Sequence, residues 1–394
     1  MQVNGYKYIP RIAEDYLTKD LSSGKVIILL GPRQAGKTTL IRHVLENKRA
    51  FFLNFDLDVE KQRFLAASVL DPDSAMAAFG NPEFLVIDEA QRLPESLRIV
   101  KGWHDSSVAA AIILLGSSEI EISGHAAESL AGRNIKRILP PLTFSEVVRS
   151  RSWATGFDAE TLRSQFAPQV DSMLLSCMAF GHYPESVLTP DKRSYLLNLA
   201  SDVLWKDLLH LGLVRTPDSI RRLLTLLAHQ IGSEASINEL SSASGLARNT
   251  VEKYLGILEQ AFIVFRLPAF SSNPRKEISK SHKIYFWDTG IRNALLNEFS
   301  EDEMRPDIGP LWENWVVAEF AKQNLLTGQT KNLHFWRSNS GSEVDLVIRR
   351  DDRLWAYEIK WNPRRQPGRA FTDKYGVPVS VIHRSGPLFD IDEA

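Results

Sequence analysis

Short, wholly apolar runs alternate with amphipathic stretches through the first part of the chain. Residues 26–30 (VIILL), 84–88 (FLVID) and 111–115 (AIILL) are each long enough for a strand buried on both faces. Residues 51–55 (FFLNF) read as a further strand, followed by Asp56 and Asp58 in a solvated turn. Ile12, Tyr16, Leu17 and Leu21 recur at helical spacing and predict an entry helix over 8–21. Residues 40–45 suit a helix, and 73–79 a short one closed by Gly80-Asn81-Pro82. Strands and helices in alternation predict an α/β fold with a parallel sheet. After Pro140-Pro141 the pattern changes. From 142 (LTFSE) to roughly 221 it is helical, with Leu196, Leu199, Val203, Leu204 and Leu208 at helical spacing and Trp205 in the core.

Residues 220–231 predict an amphipathic helix, after which Ser236 and Glu239 stand at capping-box spacing. Gly245 turns the chain and 249–259 (NTVEKYLGILE) form another helix, the order of a helix-turn-helix, with 262–267 (FIVFRL) as the first strand of a wing. Arg248, Asn249, Thr250 and Lys253 then open the second helix, where groove and phosphate contacts are made. Such modules serve equally as protein-packing domains. The basic run Arg275, Lys276, Lys280 and Lys283 either extends a phosphate-facing surface or is a solvated linker. From Gly309 onward the order is αβββαβ: a helix over 312–325, strands over 333–336, 344–348 and 354–359, a helix around 369–375 and a strand over 377–382. The expected division is therefore 1–150, a helical connector over 151–220, a winged helix over 221–272 and a C-terminal domain over 273–394.

Candidate chemistry sits at the strand ends. Gly31, Pro32, Arg33, Gln34, Ala35, Gly36, Lys37, Thr38 and Thr39 spell G-x-x-x-x-G-K-T-T between an apolar strand and a helix, the context of a phosphate-binding loop. Its glycines let backbone N–H groups turn towards phosphate oxygens. Lys37 reaches the β- and γ-phosphates of ATP and the Thr38 hydroxyl ligates Mg²⁺. A buried strand carries Asp88 to the same sheet edge to hold Mg²⁺, and Glu89 beside it orients and deprotonates the attacking water. Ser117 either senses the γ-phosphate or caps the next element. Arg133 either completes a neighbouring subunit's site as a finger or pairs with a structural carboxylate. His182, in the 181–184 turn, reads as packed rather than as a ligand.

At the other end, Asp345 lies among apolar residues, and Glu358 and Lys360 project from one face of the next strand. Asp345, Glu358 and the Ile359 carbonyl suit Mg²⁺ or Mn²⁺, with Lys360 acidifying a water and Glu313 completing the shell through water. Ordinary strand-end charges are the competing explanation. Arg364, Arg365 and Arg369 follow in position to steer a nucleic-acid backbone.

Composition adds limits. Forty-seven basic against 48 acidic side chains give a net charge of −1, so bulk electrostatics makes no case for nucleic acid. Cys177 is the single cysteine, which excludes an intrachain disulfide and fits a reducing, cytoplasmic setting. No apolar run approaches the ~18 residues of a membrane helix, and residues 1–10 lack a signal-peptide core.

Together the motifs resemble a prokaryotic family that joins an AAA-type ATPase to a C-terminal domain of restriction-endonuclease-like (PD-(D/E)xK) fold. The resemblance is carried by GPRQAGKTTL (31–40), FLVIDEAQRLP (84–94), LLGSS (114–118), SLAGR (129–133), LPPLTFSE (139–146), GHYPE (181–185), KIYFWDTG (283–290), LWENWV (311–316), EVDLVI (343–348) and YEIK (357–360). It implies ATP binding, a winged-helix element and a nuclease-like domain whose acids match Glu313, Asp345 and Glu358, with Lys360 as the basic member. The expectation is an ATP-hydrolysing protein acting on DNA, RNA remaining open, with turnover coupled to a Mg²⁺-dependent nuclease. The alternative is an ATP-dependent switch that binds nucleic acid or a protein without cutting. A homo-oligomer is compatible with either.

Overall fold

The apolar runs of the first 140 residues become one parallel sheet in the computed structural model, which describes residues 2–3, 6–117, 130–202, 217–271, 282–338, 340–362 and 367–386. The leucine stripe beyond Leu199, Trp205, Ser118, Arg275, Lys276, Lys280, Arg364 and Arg365 lie outside the described residues. The chain divides into two compact units, Met1–Pro140 and Pro141–Ala394. Residues 141–150, expected at the end of the ATPase part, thus pack with the second unit. No helix among the described residues is long and apolar enough to cross a membrane.

In the first unit, β1 (Val26–Leu30), β2 (Ala50–Asn54), β3 (Phe84–Asp88), β4 (Ala111–Gly116) and β5 (Asn134–Ile138) lie in the order β2-β3-β4-β1-β5. Every neighbouring pair is parallel. Central β1 is buried along its whole length, which is why it is apolar at every position. Edge strand β5 is only half-buried and reads NIKRI, a pattern too polar to be recognised from sequence. Helices α1 (Ala13–Asp20), α2 (Lys37–Val44), α3 (Asp58–Ser68), α4 (Pro72–Ala78) and α5 (Ser96–Asp105) belong to the same unit. Helix α3 is unexpected: Asp58 opens its first turn rather than a loop, and it anchors through Phe64, edge-on to Phe55 at 5.2 Å and to Trp103 at 5.1 Å.

The second unit begins with α6 (Phe144–Arg149), whose N-terminus is closed by a full capping box between Thr143 and Glu146. Helices α7 (Ala159–Gln165), α8 (Ala167–Phe180), α9 (Pro184–Leu188) and α10 (Lys192–Asp202) follow. Cys177 is buried on α8, and burial pushes its thiol up to about 12. Next come α11 (Pro217–His229), α12 (Ile237–Ser244), α13 (Arg248–Gln260) and the antiparallel pair β6 (Val264–Pro268) and β7 (His282–Phe286). Ser236 caps α12, but the Glu239 carboxylate accepts from Gln230 at 2.7 Å instead of turning back to the cap, so the expected box is half formed. Helix α14 (Thr289–Leu296) is capped by Asp288, whose other oxygen accepts from the His182 backbone N–H at 2.6 Å.

The C-terminal elements follow the expected order: α15 (Ile308–Leu326), β8 (Asn332–Arg337), β9 (Glu343–Arg350), β10 (Arg353–Ile359), α16 (Ala370–Tyr375) and β11 (Val379–Ile382). The sheet order is β8-β9-β10-β11, with β10 and β11 parallel and the other pairs antiparallel. One cluster of this domain gathers Trp336, Val347, Ala356 and Phe371 of α16 around Phe270. Burying each large apolar side chain contributes roughly 1.5–3 kcal/mol. Helix α15 also meets β10, with Phe320 5.9 Å from Tyr357. It is buried on nearly all sides, and this explains its mixed pattern.

Buried Glu319 and Lys322 of α15 pair at 2.9 Å. Glu319 accepts from the Phe144 N–H at 2.8 Å, and the Lys322 ammonium donates to the Leu142 carbonyl at 3.1 Å and lies 3.2 Å from His182 Nδ1. Burial and the neighbouring Lys322 charge hold His182 well below its ordinary value, so it is neutral and packed.

Candidate functional site

The glycine loop lies between β1 and α2 in a conformation that only its residues permit. Gly31 has φ 151°, and a Cβ there would stand 2.1 Å from the Leu139 carbonyl oxygen. Gly36, at φ 92°, leads into the first turn of α2. The amides of that turn face the loop and supply the positive end of a helix dipole. The Lys37 ammonium, almost fully buried, donates at 2.9 Å to both the Gly31 and Pro32 carbonyls. Arg11 braces the loop from outside, donating at 2.8 Å to the Ala35 and Pro140 carbonyls.

Strand β4 lies between β1 and β3, so its tip separates the glycine loop from the acids. The Thr38 hydroxyl donates to Asp88 Oδ2 at 2.6 Å, bringing together two hard oxygen ligands from opposite sides of that gap. This pair fits Mg²⁺ carried with a triphosphate. Glu89 follows in a left-handed conformation (φ 53°, ψ 42°) that directs its side chain away from the strand line. Burial raises the Glu89 carboxyl above its ordinary value, against the opposing Lys37 and Arg33 charges. The buried Gln91 side chain donates to Glu89 Oε2 and, at 3.0 Å, to the Ser117 hydroxyl, which itself lies 3.4 Å from Glu89. Gln91 was not singled out from sequence, although Q in FLVIDEAQ stands only two residues past the base.

Arg133 bonds Asp105 of its own unit, and that bond is the main reason the Asp105 carboxyl sits below its usual range. Of the two sequence readings, this geometry displays the pairing with a structural carboxylate.

The expected residues of the second unit are only partly gathered. Arg248, Asn249 and Lys253 are exposed on the first turns of α13, with Thr250 half-buried. Asp345 Oδ2 accepts from Lys360 Nζ at 2.9 Å and from the Ile359 N–H at 2.7 Å, so Ile359 meets Asp345 through its amide. The Glu358 carboxylate accepts instead from the Gly368 N–H at 3.0 Å. Glu313 accepts from Tyr285 at 2.7 Å and from Lys283 at 2.9 Å. Lys283, expected on a phosphate-facing surface or in a solvated linker, is 2 % exposed and also pairs with Glu343. Its position inside the apolar strand IYF explains why: the stem is buried with the strand and the ammonium needs acid partners there. Burial alone would lower this ammonium, but Glu313, Glu343 and Asp345 outweigh it and hold it above the usual lysine value. Among the described residues no group of three His, Cys, Asp or Glu side chains is arranged to hold a metal.

A model of AAA domains matches residues 23–148, and models of two domains of unknown function, DUF8612 and DUF4143, match 173–302 and 308–385. The uncharacterised protein Rv2008c of Mycobacterium tuberculosis is 31% identical over 353 residues, which are 89% of this chain and 73% of that one. MJ1544 of Methanocaldococcus jannaschii, likewise uncharacterised, is 25% identical over 338 residues, covering 83% and 73%. Among solved structures, the Walker-type ATPase paby2304 of Pyrococcus abyssi superposes with a TM-score of 0.48 at 14% identity, covering 72% of this chain and 94% of that one. AMPPCP-bound DnaA from Aquifex aeolicus gives a TM-score of 0.27 at 14% identity, covering 62% and 85%. The AAA match falls on the glycine loop and the acids beside it, so the part of the chain that holds them is an AAA-type ATPase domain.

Proposed function

The chain belongs to the family of the mycobacterial protein Rv2008c, and on the chemistry of its AAA domain we propose that it hydrolyses ATP to ADP and phosphate and uses the cycle to control its hold on DNA. The observation that carries the hydrolysis is the convergence of Lys37, Thr38, Asp88, Glu89, Gln91 and Ser117 at one sheet edge; the hold on DNA rests on the exposed start of α13. Bound Mg²⁺ would neutralise phosphate charge, held by Thr38 and Asp88. Loop amides and Lys37 bind the phosphates, and Glu89 takes the proton of the attacking water. Lys37→Ala should abolish turnover in a phosphate-release assay. Wild-type protein with no Mg²⁺-dependent ATPase, alone or with nucleic acid, would refute the proposal.

We read residues 221–272 as a winged helix, on the order α11, α12, α13, β6, and 273–394 as a restriction-endonuclease-like domain, on the order αβββαβ. Residues 151–220 are then a connector. The exposed Arg248, Asn249 and Lys253, with Thr250, are the proposed nucleic-acid contacts. A single buried cysteine fits a cytoplasmic setting. A homo-oligomer would bring Arg133 to a neighbour's nucleotide if its bond to Asp105 opened.

Whether the C-terminal domain binds without cutting or cuts turns on its acids. Binding without cutting is favoured by the engagement of Glu313 with Lys283 and Tyr285 and of Glu358 with Gly368. Cutting with Mg²⁺ or Mn²⁺ at Asp345, Glu358 and Ile359 is favoured by the meeting of Asp345 and Lys360. A cleavage screen over single-stranded, duplex and branched DNA and RNA, with and without ATP, separates them. Cutting lost in Glu358→Ala establishes the nuclease; nucleotide-dependent binding with strands intact establishes the switch.

A further inference from the structure

We propose that the Lys283 ammonium is a built-in cation for the acidic cluster of the C-terminal domain, taking the charge role that a divalent metal would have in a nuclease of this fold. The proposal deepens the case for binding without cutting. It rests on placement. Lys283 comes from β7, whose start is bridged to Glu234, and so reaches these acids from outside the four-stranded sheet. Its ammonium lies 2.9 Å from Glu313 of α15 and pairs with Glu343 at the head of β9, two residues before Asp345. It is 2 % exposed and lies 5.6 Å from the centre of the Phe335 ring, so little solvent surrounds it.

The other acids are satisfied in ways a metal would have to undo. The Tyr285 hydroxyl donates to the same Glu313 oxygen at 2.7 Å. Asp345 Oδ2 takes both the Lys360 ammonium and the Ile359 amide. A hard divalent cation needs several free carboxylate or carbonyl oxygens around one point, about 2.0–2.6 Å away. Here each named oxygen already accepts from nitrogen or hydroxyl, and two lysine charges repel an incoming cation. Expelling a buried ammonium from its carboxylates is costly, because it strands charge on both sides. Glu358 is turned to the Gly368 N–H, and among the described residues no three acids are arranged around one point, so the residues do not fit a resident metal. They fit an ion-paired core that keeps the sheet and α15 in register.

The test counts Mn²⁺ bound by the full chain without nucleotide, using the electron paramagnetic resonance signal of free Mn²⁺, and follows Tm on adding Mn²⁺. Wild type and Lys283→Arg should show no Mn²⁺ that is lost on Asp345→Asn. Lys283→Met should gain one Mn²⁺ per chain, with a Tm that rises on adding the metal, and the gain should vanish in Lys283→Met combined with Asp345→Asn. An Asp345-dependent Mn²⁺ in wild type overturns the proposal, and this arm does not require the Met variant to fold. A folded Lys283→Met that gains no Mn²⁺ also overturns it, yet leaves binding without cutting intact. Metal-dependent cleavage by wild type, lost in Glu358→Ala, defeats both.

Discussion

Gln91 holds Glu89 by a side-chain hydrogen bond and reaches the Ser117 hydroxyl from the same nitrogen, so the candidate base and the tip of β4 share one donor. A base whose direction is set this way loses alignment when the donor is removed. Gln91→Ala should lower kcat for ATP about tenfold to a hundredfold, less than the ~10²–10⁴-fold a general base supplies because the base remains and only its alignment is lost, with KM changing little. Steady-state kinetics at saturating Mg²⁺ check the split. A rise in KM with unchanged kcat would instead make Gln91 a binding residue.

Glu89 must be ionised to accept a proton, and burial raises its carboxyl above the ordinary value. At a given acidic pH, more of it is protonated and idle than an exposed glutamate would be. The acid limb of kcat/KM should therefore rise with pH through an inflection above the usual glutamate range. Glu89→Gln should abolish turnover while nucleotide binding, followed with a fluorescent ATP analogue, persists.

Glu319 and Lys322 form a fully buried pair, and removing one partner strands the other. Lys322→Met should destabilise the second unit by about 3–5 kcal/mol. Burial raises Glu319 and Lys322 opposes that rise, so losing the lysine raises the folded-state value further. A raised acid contributes stability below its unfolded value and loses it as pH climbs through the folded value. The deficit of the variant should thus shrink as pH falls from 8 towards 5, read by urea unfolding at each pH. Lys322→Met combined with Glu319→Gln should recover much of the loss.

Arg248 and Lys253 present two exposed charges at the start of α13. If they meet phosphates, replacing both with Ala lowers the slope of log K against log salt by about 1–2 for duplex DNA. Fluorescence anisotropy over a salt series measures it. An unchanged slope would leave this helix to protein packing.

Elements whose pattern answers to one environment were legible. β1 and β4 are apolar because both faces are covered, and the glycine loop between β1 and α2 follows from that context. β5 was missed because an edge strand needs no apolar face at every second residue. Gln91 was missed because a polar side chain two residues past the acids carries no periodicity, and only the packed sheet brings it to Ser117. Lys283 was misplaced for a related reason. Counted with Arg275, Lys276 and Lys280 it looks like a surface charge, yet the apolar IYF beside it marked a buried strand. Asp345 and Lys360 were placed together because neighbouring antiparallel strands bring matched faces into contact, whereas the Gly368 amide that takes Glu358 lies ten residues along in a loop.

Cys177 is the only thiol in the chain, sits inside α8 and holds its proton far above neutral pH. An aromatic disulfide reagent at neutral pH therefore finds nothing to attack until the second unit opens. Labelling rate becomes a clock for that opening, blind to the first unit, which has no sulfhydryl at all. Read with and without ATP, the clock reveals whether occupancy of the glycine loop tightens or loosens the second unit.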